Sequence, residues 1–285
     1  MNKKKDYKIL VVVYGFLGDA LLSQPIAERL KTEHQATKVD FLVGFPQTQL
    51  LLEQNPNIDN VIISSIFSQC PNPHHISHLY DEVRIVENYT GNTPLTIHHQ
   101  ISAGVRTPTL GYEVYTVPEY DNLVQNQLKE LDSRPVVGIG NTWKVNPTTT
   151  YDINPLSEAL EVDYNVMVIG HPPNISHHQI INLGNPQETF AYMASVCKYL
   201  DLMVGCEGGL TNLAAGVGCT VLYTTDFMYA LAGPQGTHYQ NDDPTKLIGP
   251  KAYFPNSPHI QLPPNITVGN YIESIVPKVN DFFNM

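Results

Sequence analysis

The sequence is poor in charged residues and cysteine, contains a single tryptophan and has no long apolar run. Of its 285 residues, 15% are charged and 42% are hydrophobic, a composition that supports packed cores and argues against a disordered chain. No run of about 18 apolar residues is present, which predicts that no segment spans a membrane. Two domains are expected from the length, at about 150 residues per domain.

Basic residues are also scarce, with 16 against 27 acidic residues and a net charge of −11. Duplex binding draws on many lysines and arginines, so nucleic acid is not the expected partner, although a local basic patch stays open. The four cysteines form no CxxC pair and do not resemble a disulfide framework, which indicates the reducing cytoplasm. No HExxH motif accompanies the paired histidines, and their spacings suit surface loops equally well, so a metal site is not expected.

The first 65 residues alternate between two hydrophobic patterns. Continuous apolar runs predict buried strands at 8–14, 39–43 and 61–64. Helical spacing predicts a helix over 20–34, in which Pro25 marks either a start or a kink. With a short helix near residue 50, this β-α-β-α-β order predicts a doubly wound parallel sheet.

The pattern weakens over residues 68–120 and restarts at residue 135. The chain therefore divides into two α/β units, predicted as Rossmann-like domains over 1–133 and 134–285 that face each other with a ligand cleft between them. A last helix over 268–283 closes the chain, and packing of this helix on the first domain stays open. The second unit contains predicted strands at 135–139, 165–169, 200–204 and 220–223, and helices at 154–160, 187–198 and 208–217.

Two glycine-containing turns follow predicted strands and carry candidate chemistry. Residues 15–19 place Asp19 at the carboxyl edge of the first sheet, either as a helix cap or as a functional carboxylate. The glycines there do not complete a dinucleotide-binding fingerprint. Residues 205–215 pair Gly208 and Gly209 before a helix of small residues, whose free N–H groups favour a phosphate. A strand–helix turn without a ligand is the alternative for this second segment.

A third turn follows the first strand of the second unit and contains Trp143, the single tryptophan. Thr142 and Lys144 flank it and are candidate ligands for phosphate oxygens. Packing is the alternative role for a tryptophan after a buried strand.

Taken in order, these segments resemble glycosyltransferase family nine, the ADP-heptose:lipopolysaccharide heptosyltransferase family. Residues 18–25 (GDALLSQP) are similar to the G-D-x-L-L-x-x-P motif of the family. Residues 39–43 and 55–61 are similar to its DFLV strand and NPxIDEV turn, and residues 141–143 to its T-x-W loop. Residues 201–215 are similar to its donor loop. The resemblance covers most of the chain except residues 66–133.

The resemblance implies a GT-B fold with the acceptor on the first domain and a nucleotide sugar on the second. It implies inversion at the anomeric carbon without a catalytic metal, with Asp19 as general base and Gly15 and Gly18 beside it on the acceptor side. The nucleotide sugar is a co-substrate, so no cofactor is implied. The implied donor-binding residues are Thr142, Lys144, Glu207, Gly208, Gly209, Leu210, Thr211 and Asn212.

Three positions differ from the family pattern. Glu207 and Asn212 replace an aspartate and a histidine of the donor loop, and Lys144 stands closer to the tryptophan than the usual lysine. The sugar, the nucleotide and the acceptor therefore stay open. Two alternatives remain: a non-catalytic module that binds nucleotide sugars or glycans, and a glycosyltransferase for an unusual acceptor such as modified bases of phage DNA.

Overall fold

The computed structural model describes ten stretches of the chain. Thr142 and Glu207 lie outside them, and only the backbone of Lys144 is described. The described stretches are residues 6–64, 70–86, 95–140, 144–146, 149–150, 153–170, 186–206, 208–224, 259–261 and 271–284.

The first unit is built on a four-stranded parallel sheet with the order β3-β2-β1-β4. The apolar run of β1 occupies the interior of the sheet, where residues 9–12 are completely buried, as expected for a parallel strand covered on both faces. The strands are β1 (Lys8–Val13), β2 (Lys38–Val43), β3 (Asn60–Ile63) and β4 (Glu82–Val86).

The helix predicted over 20–34 is two helices, α1 (Leu17–Leu22) and α2 (Pro25–Glu33). Pro25 begins α2, because proline has no N–H to continue the hydrogen bonds of α1. The predicted turn over 15–19 is wrong in its second half, since Gly18 and Asp19 lie in the first turn of α1. The unit also contains α3 (Gln49–Glu53) and α4 (Leu95–Ser102), and the sequence pattern missed α4.

Some residues that carry the family resemblance in the first unit hold its sheet together. Asp40 is buried in β2, and its carboxylate binds Lys38 Nζ at 2.8 Å. The same carboxylate accepts hydrogen bonds from Asn60 Nδ2 at 2.8 Å and from the Tyr80 hydroxyl at 2.6 Å. Burial and the contact with Asp40 raise the pKa of Tyr80, so the phenol stays protonated as the donor. A buried carboxylate needs such partners to offset its lost hydration.

The second unit is built on a five-stranded parallel sheet with the order β11-β10-β9-β5-β8, beside a short antiparallel pair, β6 and β7. Two parallel sheets with helices confirm the predicted α/β fold class. The strands are β5 (Val136–Gly140), β6 (Lys144–Asn146), β7 (Thr149–Thr150), β8 (Asn165–Ile169), β9 (Leu202–Cys206), β10 (Val221–Thr224) and β11 (His259–Gln261), and the helices are α5 (Pro118–Leu128), α6 (Asn154–Leu160), α7 (Pro186–Lys198), α8 (Gly209–Gly216) and α9 (Tyr271–Phe283).

The last helix, α9, contacts the second unit. Ile275 and Val279 are completely buried in the core around β5 and β8, and Tyr164 donates a hydrogen bond to Asn280 Oδ1 at 2.8 Å. The helix continues through Pro277. Within the described stretches, no helix is long and apolar enough to cross a membrane.

The two units are joined by a common hydrophobic core. One buried cluster includes Leu21 and Leu51 from the first unit with Ala194 and Leu213 from the second. The connecting segment runs along the second unit, where Val114 N–H donates to the carbonyl of Gly216 at 2.8 Å. The domain boundary after residue 133 stays a prediction, since the core is continuous across the units.

We predict that Gly216→Ala destabilises the fold, because a Cβ there would lie 2.4 Å from Val114 Cγ2 and 2.8 Å from Tyr112 Cε2. Overpacking of this kind costs about 1–3 kcal/mol, which exceeds the roughly 1 kcal/mol gain in helix propensity. Urea denaturation would measure the free energy of unfolding. The matched control is Gly208→Ala at the other end of α8, where no atom lies within 4 Å of the added Cβ. A Gly216→Ala variant that is as stable as the wild type would contradict the prediction.

Candidate active site

Each parallel sheet has one point at which the strand order reverses, and ligands of such sheets bind beyond the carboxyl ends of the strands there. In the first sheet this point lies between β1 and β4, because β4 returns to the other side of β1. In the second sheet it lies between β5 and β9. Asp19 follows β1, and residues 208–212 follow β9, so the predicted catalytic carboxylate and the described part of the donor loop occupy the two reversal points.

The Asp19 carboxylate is held at the start of α1. Its Oδ2 accepts a hydrogen bond from Phe16 N–H at 2.7 Å, which satisfies one of the free donors at the helix start. Gly15 has φ +106°, and a Cβ there would lie only 2.2 Å from Oδ2, so this position requires glycine. The side chain of Asp19 keeps 22% of its surface exposed. Asp19 thus caps its helix and still presents carboxylate surface.

His99 lies behind Asp19 and is completely buried. The helix α4 brings its Nε2 to 3.6 Å from Asp19 Oδ1 and its Nδ1 to 3.1 Å from Ser23 Oγ. Sequence reasoning missed this residue as a partner of Asp19, since α4 falls in the segment without clear periodicity. Within the described stretches, no group of three or more His, Cys, Asp or Glu side chains is arranged to hold a metal ion.

The reversal point of the second sheet is lined by backbone with little side-chain bulk. Gly140 at the end of β5 and Gly205 in β9 approach each other, and a Cβ on Gly205 would lie 4.0 Å from the Gly140 Cα. Gly208 then adopts an extended conformation with open space at its Cα. Thr211 Oγ1 accepts the Gly208 N–H at 2.9 Å and fixes the start of α8. The following N–H groups have no acceptor inside the helix.

The starts of α1 and α8 are in contact at Gly18, the residue that precedes Asp19, so the structure brings this part of the predicted acceptor side next to part of the donor loop. A Cβ on Gly18 would lie 3.0 Å from Asn212 Nδ2 and 3.8 Å from Gly209 Cα. The Leu17 side chain covers Gly209, and Leu210 packs against the common core. Asn212 is buried, and among the described residues its Oδ1 has no hydrogen-bond partner.

Lys144 is placed only by its backbone, in β6 just beyond the end of β5. The predicted donor ligands Thr142 and Glu207 lie outside the described residues. An aromatic pair at the first sheet edge escaped the sequence analysis. Phe16 is 53% exposed beside Asp19, and its ring centroid lies 5.0 Å from that of Phe45. A single exposed aromatic residue carries no sequence signal, because only the fold places it next to the carboxylate.

Three solved structures with a similar fold are described as glycosyltransferases or heptosyltransferases. The chain superposes on the glycosyl transferase family 9 protein from Veillonella parvula DSM 2008 with a TM-score of 0.63 at 14% identity, over 95% of this chain and 89% of that chain. It matches ADP-heptose lps heptosyltransferase II of E. coli with a TM-score of 0.59 at 15% identity, over 96% and 99%. It matches E. coli heptosyltransferase WaaC, solved with ADP-2-deoxy-2-fluoro heptose, with a TM-score of 0.52 at 12% identity, over 96% and 99%.

No protein-family model matches the sequence, and a search of curated proteins finds no match. The structural neighbours are members of the family that the sequence motifs resemble, and the predicted GT-B architecture is confirmed. At these identities the likeness shows the fold alone.

We predict that the Asp19 cap contributes about 1 kcal/mol to stability, so Asp19→Ala should lower the free energy of unfolding by about that amount. Asp19→Asn should lower the free energy of unfolding by a smaller amount, because the amide oxygen still accepts the hydrogen bond from Phe16 N–H. Both variants lose the negative charge at the helix start, so their difference isolates the hydrogen bond. Chemical denaturation of the wild type and the two variants measures this difference in the free energy of unfolding. An equal decrease in both variants would contradict the capping role of Asp19.

Proposed function

We propose that this protein is an inverting glycosyltransferase, which transfers a sugar from a nucleotide-diphosphate donor to an acceptor hydroxyl with Asp19 as general base. The observation that carries the proposal is the contact between the starts of α1 and α8 at Gly18 and Gly209. This contact sets a partly exposed carboxylate beside the N terminus of a helix that can receive phosphate. The GT-B fold of the neighbouring glycosyltransferases supports it.

In the proposed reaction, Asp19 takes the proton of the acceptor hydroxyl as its oxygen attacks the anomeric carbon. The bond from that carbon to the diphosphate breaks in the same displacement, which inverts the configuration. A carboxylate positioned within hydrogen-bond reach of the hydroxyl contributes roughly 10²- to 10⁴-fold to such a step. The hydrogen bond from Phe16 N–H holds Asp19 Oδ2 at the start of α1.

The donor diphosphate is proposed to bind at the start of α8. Free N–H groups and the positive end of the helix dipole stabilise the charge that builds on a leaving phosphate. Gly140, Gly205 and Gly208 leave room for a close backbone approach. Thr142, Lys144 and Glu207 complete the proposed donor site.

The acceptor is proposed to bind over the carboxyl edge of the first sheet, next to Gly15 and Gly18. The exposed face of Phe16 gives this edge an apolar platform beside the base, a feature that suits the apolar face of a sugar ring. We place the reaction in the cytoplasm, since the four cysteines of the sequence form no CxxC pair and do not resemble a disulfide framework.

We predict that Asp19→Asn lowers the rate of sugar transfer by roughly 100- to 10,000-fold and leaves donor affinity within about twofold, because the amide keeps the cap but cannot take a proton. A panel of nucleotide sugars screened by thermal shift identifies the donor, and a transfer assay then gives kcat. Wild-type transfer by the variant would reject the base role. Donor binding without transfer or hydrolysis by the wild type would instead indicate a binding module.

We also predict that Gly208→Asp weakens binding of a nucleoside diphosphate by about tenfold or more. An aspartate at this helix start is a favourable cap and has open space, so the fold should be as stable as the wild type or more so. Its charge would repel phosphate at the same place. Gly208→Asn is the neutral control of equal shape, and calorimetry with ADP, UDP and GDP measures the difference. Equal affinities in both variants would place the diphosphate elsewhere.

A further inference from the structure

We propose that His99 is the buried proton acceptor behind Asp19 and receives the proton that Asp19 takes from the acceptor hydroxyl. The inference rests on the proposed glycosyl transfer and deepens it. Asp19 touches the reacting hydroxyl in this scheme, whereas His99 acts only through Asp19.

The geometry of the His99 ring leaves one nitrogen without a hydrogen-bond partner. Its Nδ1 lies 3.1 Å from Ser23 Oγ, a residue 76 positions earlier in the chain. Its Nε2 points to Asp19 Oδ1 at 3.6 Å, and among the described residues this buried nitrogen makes no hydrogen bond. A buried polar atom without a hydrogen-bond partner lowers the stability of the fold. The orientation of Nε2 towards the proposed base therefore calls for an explanation.

The hydrogen bonds of Ser23 determine which ring nitrogen carries a proton. Ser23 Oγ lies 2.7 Å from the carbonyl oxygen of Asp19, which can only accept, so the single hydroxyl proton is donated there. Ser23 Oγ must then accept from His99, and Nδ1 carries the N–H. Neutral His99 therefore presents the bare lone pair of Nε2 to Asp19 Oδ1. Two acceptors that face each other leave a place for one proton between them.

Sugar transfer supplies that proton. The acceptor O–H bond breaks, the new bond from oxygen to the anomeric carbon forms, and the bond to the diphosphate breaks with its electron pair. The proton passes to Asp19 Oδ1 and from there to His99 Nε2, which leaves an imidazolium beside a carboxylate. The bare Nε2 lone pair can accept this proton, and the adjacent carboxylate stabilises the imidazolium that results. After product release, the proton returns through Asp19 to water.

The hydrogen bonds of α4 to its neighbours hold His99 at a fixed position behind Asp19. Thr96 Oγ1 donates a hydrogen bond to the carbonyl of Leu22 at 3.1 Å, which ties α4 to α1. Gln100 Nε2 donates to the carbonyl of Thr109 at 2.6 Å, which ties the far side of α4 to the following segment. Thr96, His99 and Gln100 are all completely buried. The closing of the 3.6 Å gap to hydrogen-bond length thus needs only a small shift of the Asp19 side chain.

The charged groups around α4 leave Asp19 as the partner of His99. On α4 itself, the ring of His98 lies 6.3 Å from that of His99, centroid to centroid. Among the described elements, α1, α2 and β4 pack most extensively on α4. Asp19 faces His99 from α1. The charged or titratable groups at the end of α2 and on β4 contact the chain that follows α4 instead. Glu33 contacts Arg106, and both His34 and Arg84 contact Gly104.

The test uses two variants, each of which places an amide near one of the two ring nitrogens of His99. His99→Gln places an amide near the position of Nε2 and can donate to Asp19, and His99→Asn places an amide near Nδ1 and can donate to Ser23. Neither side chain can take up a proton. We expect kcat to fall by roughly 10- to 100-fold in both variants, with KM for donor and acceptor within about twofold. We also expect the acid side of the kcat–pH profile to move to lower pH, since His99 no longer has to be unprotonated.

Wild-type kcat and an unchanged pH profile in His99→Gln would overturn the proposal, because a donor alone would then be sufficient to position Asp19. If His99→Asn fails to fold, the pH profile of His99→Gln alone decides. His34→Gln, the same change at a histidine bound to the Gly104 carbonyl, is the control and should leave kcat unchanged. A loss of transfer in Asp19→Asn together with unaffected His99 variants would reject the role of His99 as proton acceptor and leave the role of Asp19 as base intact. Unaffected transfer in Asp19→Asn would reject the proposed base itself.

Discussion

The close approach of two helix starts is the constraint on which the rest of this structure depends. Leu17 and Gly18 at the start of α1 lie against Gly209 and Asn212 at the start of α8, and a Cβ at Gly18 would lie 3.0 Å from Asn212 Nδ2. The common core behind them includes Leu21 of α1 and Leu213 of α8. Since each helix begins at the reversal point of its own sheet, the contact places both ligand-binding edges side by side.

The electrostatics of that contact suit the proposed reaction. Both helices present the positive ends of their dipoles to the same place, an arrangement that is unfavourable unless negative charge offsets it. Asp19 supplies one such charge and is held by Phe16 N–H. The start of α8 has Thr211 in the corresponding position, a neutral side chain that fixes the turn without adding charge. A diphosphate is the charge that this second helix start is suited to receive.

Several elements were predictable from the sequence, and others were not, for physical reasons. The apolar runs of β1, β2, β5 and β8 identify buried parallel strands, because a strand covered on both faces needs apolar residues at every position. The start of α1 at Leu17 was missed, since Gly15 and Gly18 look alike in a sequence although only Gly15 adopts a positive φ. The helix α4 was missed because its buried face consists of Thr96, His99 and Gln100, which are polar residues.

The sequence by itself determined two parallel α/β units and the position of Asp19 after the first strand, because hydrophobic periodicity and turn chemistry act over a few neighbouring residues. It also indicated the glycine-rich start of α8. Only the tertiary structure decided that Gly18 meets Gly209 and that His99 lies behind Asp19. Such contacts join residues far apart in the chain, and the order of strands in the sheets, which no local pattern encodes, determines which of them meet.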